Sequence, residues 1–250
     1  RPGDIRMRLI LVALQFLTII PLPGKICYEE GDLGRSTLFF PLIGLLLGLM
    51  LAGADYLLTP LPPQLSALLL VALLALVTGA LHLDGVADVS DGMAARGDRE
   101  RFLAVMKDSR IGAIGVVGLL LVILIKWQAI AALSSGERRS ALIFFPLAAR
   151  LAQVVIMAGS RAARSDGLGR LFLSGVGWWQ LLLAEVFALG IAWFLLGVAG
   201  VLGLAVVHIV ALGIKWYFHR RLGGITGDII GCGSEVAEVA TLLLLLVVRP

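Results

Sequence analysis

Eight apolar runs divide this chain, and they constrain it more than any other feature. They cover residues 9–22, 38–58, 65–81, 111–133, 141–160, about 180–197, about 200–217 and 236–248. A membrane-crossing helix needs about 20 apolar residues, with about 17 to 25 tolerated. The second to seventh runs meet or approach that length. The last does so only if its helix starts near Gly233. The first ends at Pro21 and Pro23 and is too short to cross, so it is expected to be re-entrant or interfacial. Charged residues are 15% of the 250 and apolar residues 59%. A soluble domain of this size leaves about a quarter of its unfolded surface in water, so it cannot hide so much apolar area. Disordered, collagen-like and disulfide-scaffold classes fail on the same numbers. The expected fold is all-α: a polytopic membrane helix bundle of about seven spans, forming one catalytic domain over residues 1–250.

Three arginines before the first run, Arg1, Arg6 and Arg8, resemble the start of a signal peptide. No A-x-A site follows the run, so the segment is expected to be retained. Cys27 and Cys232 are too far apart in sequence to suggest a zinc site or disulfide framework, and each is expected to be a small apolar packing residue.

Loop charges orient the bundle. With seven spans, loops 24–36, 82–110, 161–179 and 218–235 share one side and carry twelve Lys and Arg residues. The opposite side carries three, Arg138, Arg139 and Arg249. The richer side is expected to be cytoplasmic, and it holds every loop rich in Asp, Gly and Arg.

Within loop 82–110, residues 82–92 read His-Leu-Asp-Gly-Val-Ala-Asp-Val-Ser-Asp-Gly. Asp84, Asp88 and Asp91 fall at i, i+4 and i+7, which is one face of a helix. Three carboxylates on adjacent turns repel one another, and no Lys or Arg lies at i±3 or i±4 of Asp88 to relieve them. A hard cation such as Mg²⁺ turns this repulsion into binding, and it commonly shares its remaining positions with substrate phosphate. The alternative is a solvated acidic turn. Gly85 and Gly92 are expected to let a phosphate approach the backbone.

Next comes Lys107-Asp108-Ser109-Arg110-Ile111-Gly112, opening the 111–133 run. Ser109 or Asp108 is expected to cap that helix, leaving N–H groups that favour an anion, with Lys107 and Arg110 as further donors. The same cations also suit plain interfacial anchoring. A second glycine-rich segment holds Gly223, Gly224, Thr226, Gly227 and Asp228, followed by Gly231, Gly233 and Glu235. It lacks the G-K-[ST] of a P-loop. It reads either as an anion-binding nest with Asp228 and Glu235, at i and i+7, as further oxygen ligands, or as a turn into the last helix. Polar residues also interrupt the runs. Arg150 is expected in a cavity or buried pair, Lys126 and Asp55 to snorkel, and His208 to be packed and satisfied. Gly44, Gly48, Gly197, Gly200 and Gly203 are expected to allow close helix packing.

The strings 82–92 and Met106-Lys-Asp-Ser-Arg-Ile-Gly112 resemble the cobalamin synthase family, the adenosylcobinamide-GDP ribazoletransferases. The resemblance extends to Gln15-Phe-Leu-Thr18, Arg35-Ser36, Phe39-Phe-Pro41, Arg164-Ser-Asp-Gly-Leu-Gly169, Gly223-Gly-Ile-Thr-Gly-Asp228 and Glu235, covering nearly the whole chain. It implies that a ribose hydroxyl of α-ribazole, or of its 5′-phosphate, attacks the phosphorus attached to the cobinamide arm of adenosylcobinamide-GDP. GMP leaves, and Mg²⁺ is the implied cofactor. On this reading Asp84, Asp88 and Asp91 hold the metal. Lys107, Ser109 and Arg110, with Arg35, Gly223, Gly224 and Thr226, bind substrate. Asp228, Asp108 or His82 takes the hydroxyl proton. The implied setting is the bacterial inner membrane, active face cytoplasmic, with lipid around the chain and no nucleic acid partner; a homo-oligomer is compatible with it. Two rivals stand beside it. A CDP-alcohol phosphotransferase also uses spaced membrane aspartates, but Asp91-Gly-Met-Ala-Ala-Arg96 only approaches that motif and its later half is absent. A secondary transporter would use Arg150 and Glu185, but no internal repeat supports it.

Overall fold

A computed structural model describes residues 2–21, 29, 31–165 and 168–248. Lys25, Cys27, Asp166, Gly167 and Arg249 lie outside these residues. Among the described residues the regular structure is helical, apart from one parallel bridge between Ala162 and Ile225. The helices are α1 (Pro2–Leu17), α2 (Asp32–Ser36), α3 (Phe40–Leu57), α4 (Pro63–Val77), α5 (Leu81–Ala94) and α6 (Arg99–Val105), then α7 (Ala113–Ala132), α8 (Ser135–Met157), α9 (Leu168–Gly175), α10 (Trp178–Leu196), α11 (Val198–Leu222) and α12 (Gly227–Val247).

Among the described residues, six helical segments are long and apolar enough to cross a membrane: Asp32–Leu57, which includes α3, then α7, α8, α10, α11 and α12. Counting α4 and α5 together as one bent passage makes seven. α1, of 16 residues, is not among them. Its Arg8 pairs with the buried Asp32 at 3.0 Å. Helix α8 is the central post, buried along nearly all of its apolar length. α3 lies against it because Gly44 and Gly48 have no side chains: a Cβ on either would collide with the backbone of Ile143, Pro146 or Leu147. Gly200 likewise faces the backbone of Ala192, and Gly203 the ring of Phe144.

Three expectations change here. The 65–81 run does not pass straight into a loop. Its helix stops at Val77, Gly79 and Ala80 take positive φ values of 60° and 55°, and α5 leaves at 91°. The acidic string is therefore a helix packed between α7 and α12. The glycine-rich stretch after Thr226 is also helical, since α12 begins at Gly227. Its glycines serve packing, with Gly231 against His82 and Gly233 against Ile156. Lys126 does not snorkel: it is 3% exposed, with Nζ 2.7 Å from both Glu235 and Glu238, so Glu235 pairs inside the bundle and does not join Asp228 as an oxygen ligand. A chain of buried polar contacts continues to Arg150, which meets Glu238 at 2.7 Å and Ser234 at 3.1 Å. A charge inside apolar surroundings survives only with such partners. Asp55 is held by Arg138 at 2.9 Å, and His208 by Glu185 at 2.6 Å.

Candidate active site

Several helix ends from the basic-loop side meet around a cavity of about 250 Å³. Asp84 of α5, Asp228 of α12 and Arg164 of the 158–167 connection contribute charge, while His82 and Gln153 contribute neutral polar groups. Phe16, Phe40 and Phe172 contribute an apolar side.

Each element is placed by a specific local cause. α5 can lie against the first turn of α12 because Gly85 has no side chain; a Cβ there would sit 2.5 Å from the carbonyl oxygen of Asp228. This replaces the expected role of Gly85 as a phosphate approach, and Gly92 is likewise packed, against Phe102 and Met106. α12 starts where Thr226 accepts a hydrogen bond from the Ile229 N–H at 3.3 Å. The Thr226 hydroxyl also donates to Asp228 Oδ2 at 3.3 Å. Gly224 is pressed against the backbone of residues 161–163, where the Ile225 N–H donates to the Arg161 carbonyl and the Ala163 N–H donates to the Ile225 carbonyl, each at 2.9 Å. Gly223 ends α11 at φ 74°. Of these three expected substrate contacts, Thr226 alone lines the cavity.

The expected acidic stripe exists, and its members divide. Asp84 is exposed at the cavity, and Asp88 is half-buried one turn on. Asp88 is repelled by Asp84, Asp228 and Asp91 and attracted by Arg164. Arg164 Nη1 lies 3.4 Å from Asp228 Oδ2, and its Nη2 donates to the Leu103 carbonyl. Asp91 has a different task from the expected metal ligation. Its Oδ2 accepts from the Gly112 N–H at 2.6 Å and its Oδ1 from the Gly115 N–H at 2.7 Å. It thus caps α7 from a neighbouring helix, the job expected of Ser109 or Asp108, and it occupies N–H groups expected to bind an anion. The macrodipole of α7 favours a carboxylate there.

Asp108 instead binds Arg110 in a two-pronged pair, at 3.0 and 2.7 Å. The Arg110 side chain, aided by its backbone N–H, holds the Asp108 carboxyl down to about 2, which makes it a weak base. The Arg110 side chain is 87% exposed. Arg110, Lys107, Ser109 and Arg35 are not among the cavity-lining residues. His82 is at the cavity floor, 3% exposed, with Nε2 2.8 Å from Gln153 Nε2.

Arg164, Gln153 and the three phenylalanines were not expected as site residues from the sequence. Arg164, Phe16 and Phe40 do fall within the strings that carried the family resemblance. Gln153 left no signal, because a lone amide in an apolar run looks the same whether it lines a cavity or a helix seam.

Among the described residues, no three His, Cys, Asp or Glu side chains converge as a ready metal cage. The donor set nevertheless suits a hard divalent ion completed by substrate. Mg²⁺ is usually held by one or two carboxylates together with phosphate oxygens. Asp84 and Asp88 offer two carboxylates on adjacent turns beside Asp228.

The sequence matches the family described as cobalamin-5-phosphate synthase over residues 9–246. Its similar relatives carry the name adenosylcobinamide-GDP ribazoletransferase. The protein of Geotalea daltonii is 56% identical over 243 residues, 97% of this chain and 98% of its own. That of Pseudomonas paraeruginosa is 40% identical over 239 residues, 94% and 96% of the two chains. That of Acetivibrio thermocellus is 33% identical over 240 residues, 95% and 97%. No solved structure matches.

Proposed function

We propose that this chain, which belongs to the cobalamin-5-phosphate synthase family, is an adenosylcobinamide-GDP ribazoletransferase acting late in cobalamin biosynthesis. A ribose hydroxyl oxygen of α-ribazole, or of its 5′-phosphate, bonds to the phosphorus carried on the cobinamide arm. The phosphoanhydride bond to GMP breaks, the hydroxyl proton leaves, and GMP departs.

The observation that supports this most is the surplus of carboxylate at one cavity: Asp84 on α5 and Asp228 on α12 line it, Asp88 lies one turn beyond Asp84, and Arg164 is 3.4 Å from Asp228. Phosphoryl-group transfer needs positioning and charge stabilisation more than covalent help from the protein. Asp84 and Asp88 would hold Mg²⁺ against the diphosphate, where the ion supplies charge neutralisation. Arg164 is placed to steady a phosphate oxygen at the cavity mouth. Asp228 faces the same space and is the group we assign to take the hydroxyl proton, with His82 farther in as the alternative. Lys107 and Arg110 are exposed on the α6–α7 connection, Arg110 paired with Asp108, and we assign them to a GMP group that extends beyond the cavity.

The cavity-lining ends belong to the side bearing twelve basic loop residues against three, so we assign it to the cytoplasmic face of the bacterial inner membrane. The rival transporter reading loses its motivation, because Arg150 is paired with Glu238 and Glu185 with His208. The deciding assay supplies adenosylcobinamide-GDP, α-ribazole and Mg²⁺ to the purified chain and follows GMP and cobalamin. No GMP release from folded protein overturns the assignment. Competition by CDP-diacylglycerol would instead favour the CDP-alcohol phosphotransferase reading.

A further inference from the structure

We infer that the cavity is the subsite for the benzimidazole nucleoside: its base lies against Phe16, Phe40 and Phe172, and its ribose reaches Asp84 and Asp228. This rests on the activity proposed above and specifies which substrate enters the cavity. Size makes the first selection. At about 250 Å³ the space falls just below the roughly 300–1,000 Å³ of pockets that enclose drug-sized ligands. A corrin macrocycle with its adenosyl group is far too large, which leaves ribazole or the guanosine part of the other substrate.

The lining chooses between these two. Phe16 and Phe172 have centroids 4.3 Å apart, and Phe40 meets Phe172 edge-on at 5.8 Å. Met157, Ile225 and Ile230 extend this apolar surface. Guanine has donors and acceptors around most of its edge, and burying them here leaves several without partners. The dimethylbenzimidazole base has one free ring nitrogen and is otherwise apolar. The floor offers His82 and Gln153, 3% and 1% exposed and hydrogen-bonded to each other. Gln153 has a second amide hydrogen beyond the one shared with His82, which matches that single nitrogen. With the base inside, the ribose emerges beside the carboxylates, where a hydroxyl must meet phosphorus. A 5′-phosphate, when present, projects toward Arg164 and Arg170 at the mouth.

The test is steady-state GMP release by the full chain in detergent micelles, with each substrate varied in turn. Phe172→Ala, and Phe16→Leu as the milder change should the first not fold, are expected to raise KM for α-ribazole by about tenfold, near the loss of one good apolar contact. KM for adenosylcobinamide-GDP stays within about twofold, inside ordinary mutational scatter. Gln153→Leu is expected to shift the ribazole KM in the same direction. A rise confined to adenosylcobinamide-GDP overturns the inference and puts guanosine in the cavity. Unchanged KM for both substrates overturns it as well. Calorimetric titration with α-ribazole alone separates this inference from the activity. Saturable binding that Phe16→Leu weakens supports the subsite even if the wild type releases no GMP, a result that would reject the activity alone. GMP release without any ribazole binding site sensitive to these residues would reject the subsite alone.

Discussion

Helix α12 takes part in two groups of charge that are built in opposite ways. At its start, Asp228 joins Asp84 and Asp88 in a carboxylate surplus beside a cavity, with Arg164 at 3.4 Å. Two to three turns farther on, Glu235 and Glu238 meet Lys126, and Glu238 also meets Arg150, each at 2.7 Å. The second group is balanced, two cations against two anions, and it is closed from solvent. Charge deep in the bundle has no water to lean on, so it persists only where opposite charge balances it. Charge at the mouth tolerates an excess of carboxylate because water or a cation can answer it. Ionisable side chains in this chain are therefore sorted by balance of charge: the balanced group holds helices together, and the unbalanced one awaits a ligand.

The sharpest way to break this contrast is to unbalance the closed group. Glu238→Ala strands Arg150 and half of the Lys126 interaction, and is expected to cost about 3–5 kcal/mol. Thermal unfolding in detergent reads this as a large fall in Tm, and an unchanged Tm would mean that the group bears no structural load. The opposite behaviour is expected at the mouth. Asp84→Asn or Asp88→Asn should lower GMP release by about 10²–10³-fold, the usual loss when one charge-stabilising group is removed. Tm should hold or rise, because each change relieves repulsion. Normal turnover in either folded variant would remove the carboxylates from the mechanism.

Chelation by EDTA should depress turnover to a similar degree and be reversed by added Mg²⁺, while the melting curve, governed by the closed group, stays in place. Gly85→Ala tests the seam that brings the two aspartate helices together. Its new methyl meets the Asp228 carbonyl, so a destabilisation of about 1–3 kcal/mol is expected, with loss of activity. The smallest effect sharpens the division within the acidic stripe itself. Asp91→Ala removes the cap of α7 and should cost about 1 kcal/mol of stability. Asp91→Asn, which keeps one acceptor oxygen, should retain more of that stability. A loss of turnover in Asp91→Asn as deep as in Asp84→Asn, with Tm intact, would return Asp91 to the metal site.

The long spans were legible because about 20 apolar residues have few ways to avoid water other than crossing a bilayer. The common face of Asp84, Asp88 and Asp91 was legible because helical period is a local property. The break at Gly79 and Ala80 was not, since an apolar run gives no sign of a positive φ before its neighbours are known. Likewise the stretch after Thr226 looked like a loop from its glycines, yet those glycines are what allow α12 to pack on α5 and α8.

By itself, then, the amino-acid order determined that this is a multi-pass helical chain with its polar chemistry gathered on one side. Burial, helical period and loop charge all act over short stretches and need no tertiary knowledge. Only the folded arrangement decided that Asp91 caps a helix while Asp84 and Asp88 face Asp228, that Lys126 and Arg150 neutralise glutamates about 110 and 90 residues away, and that three distant phenylalanines close one cavity. Each depends on which helix lies beside which. That is set by the close approach of small residues and the pairing of buried charge across the whole bundle, information that no single segment carries.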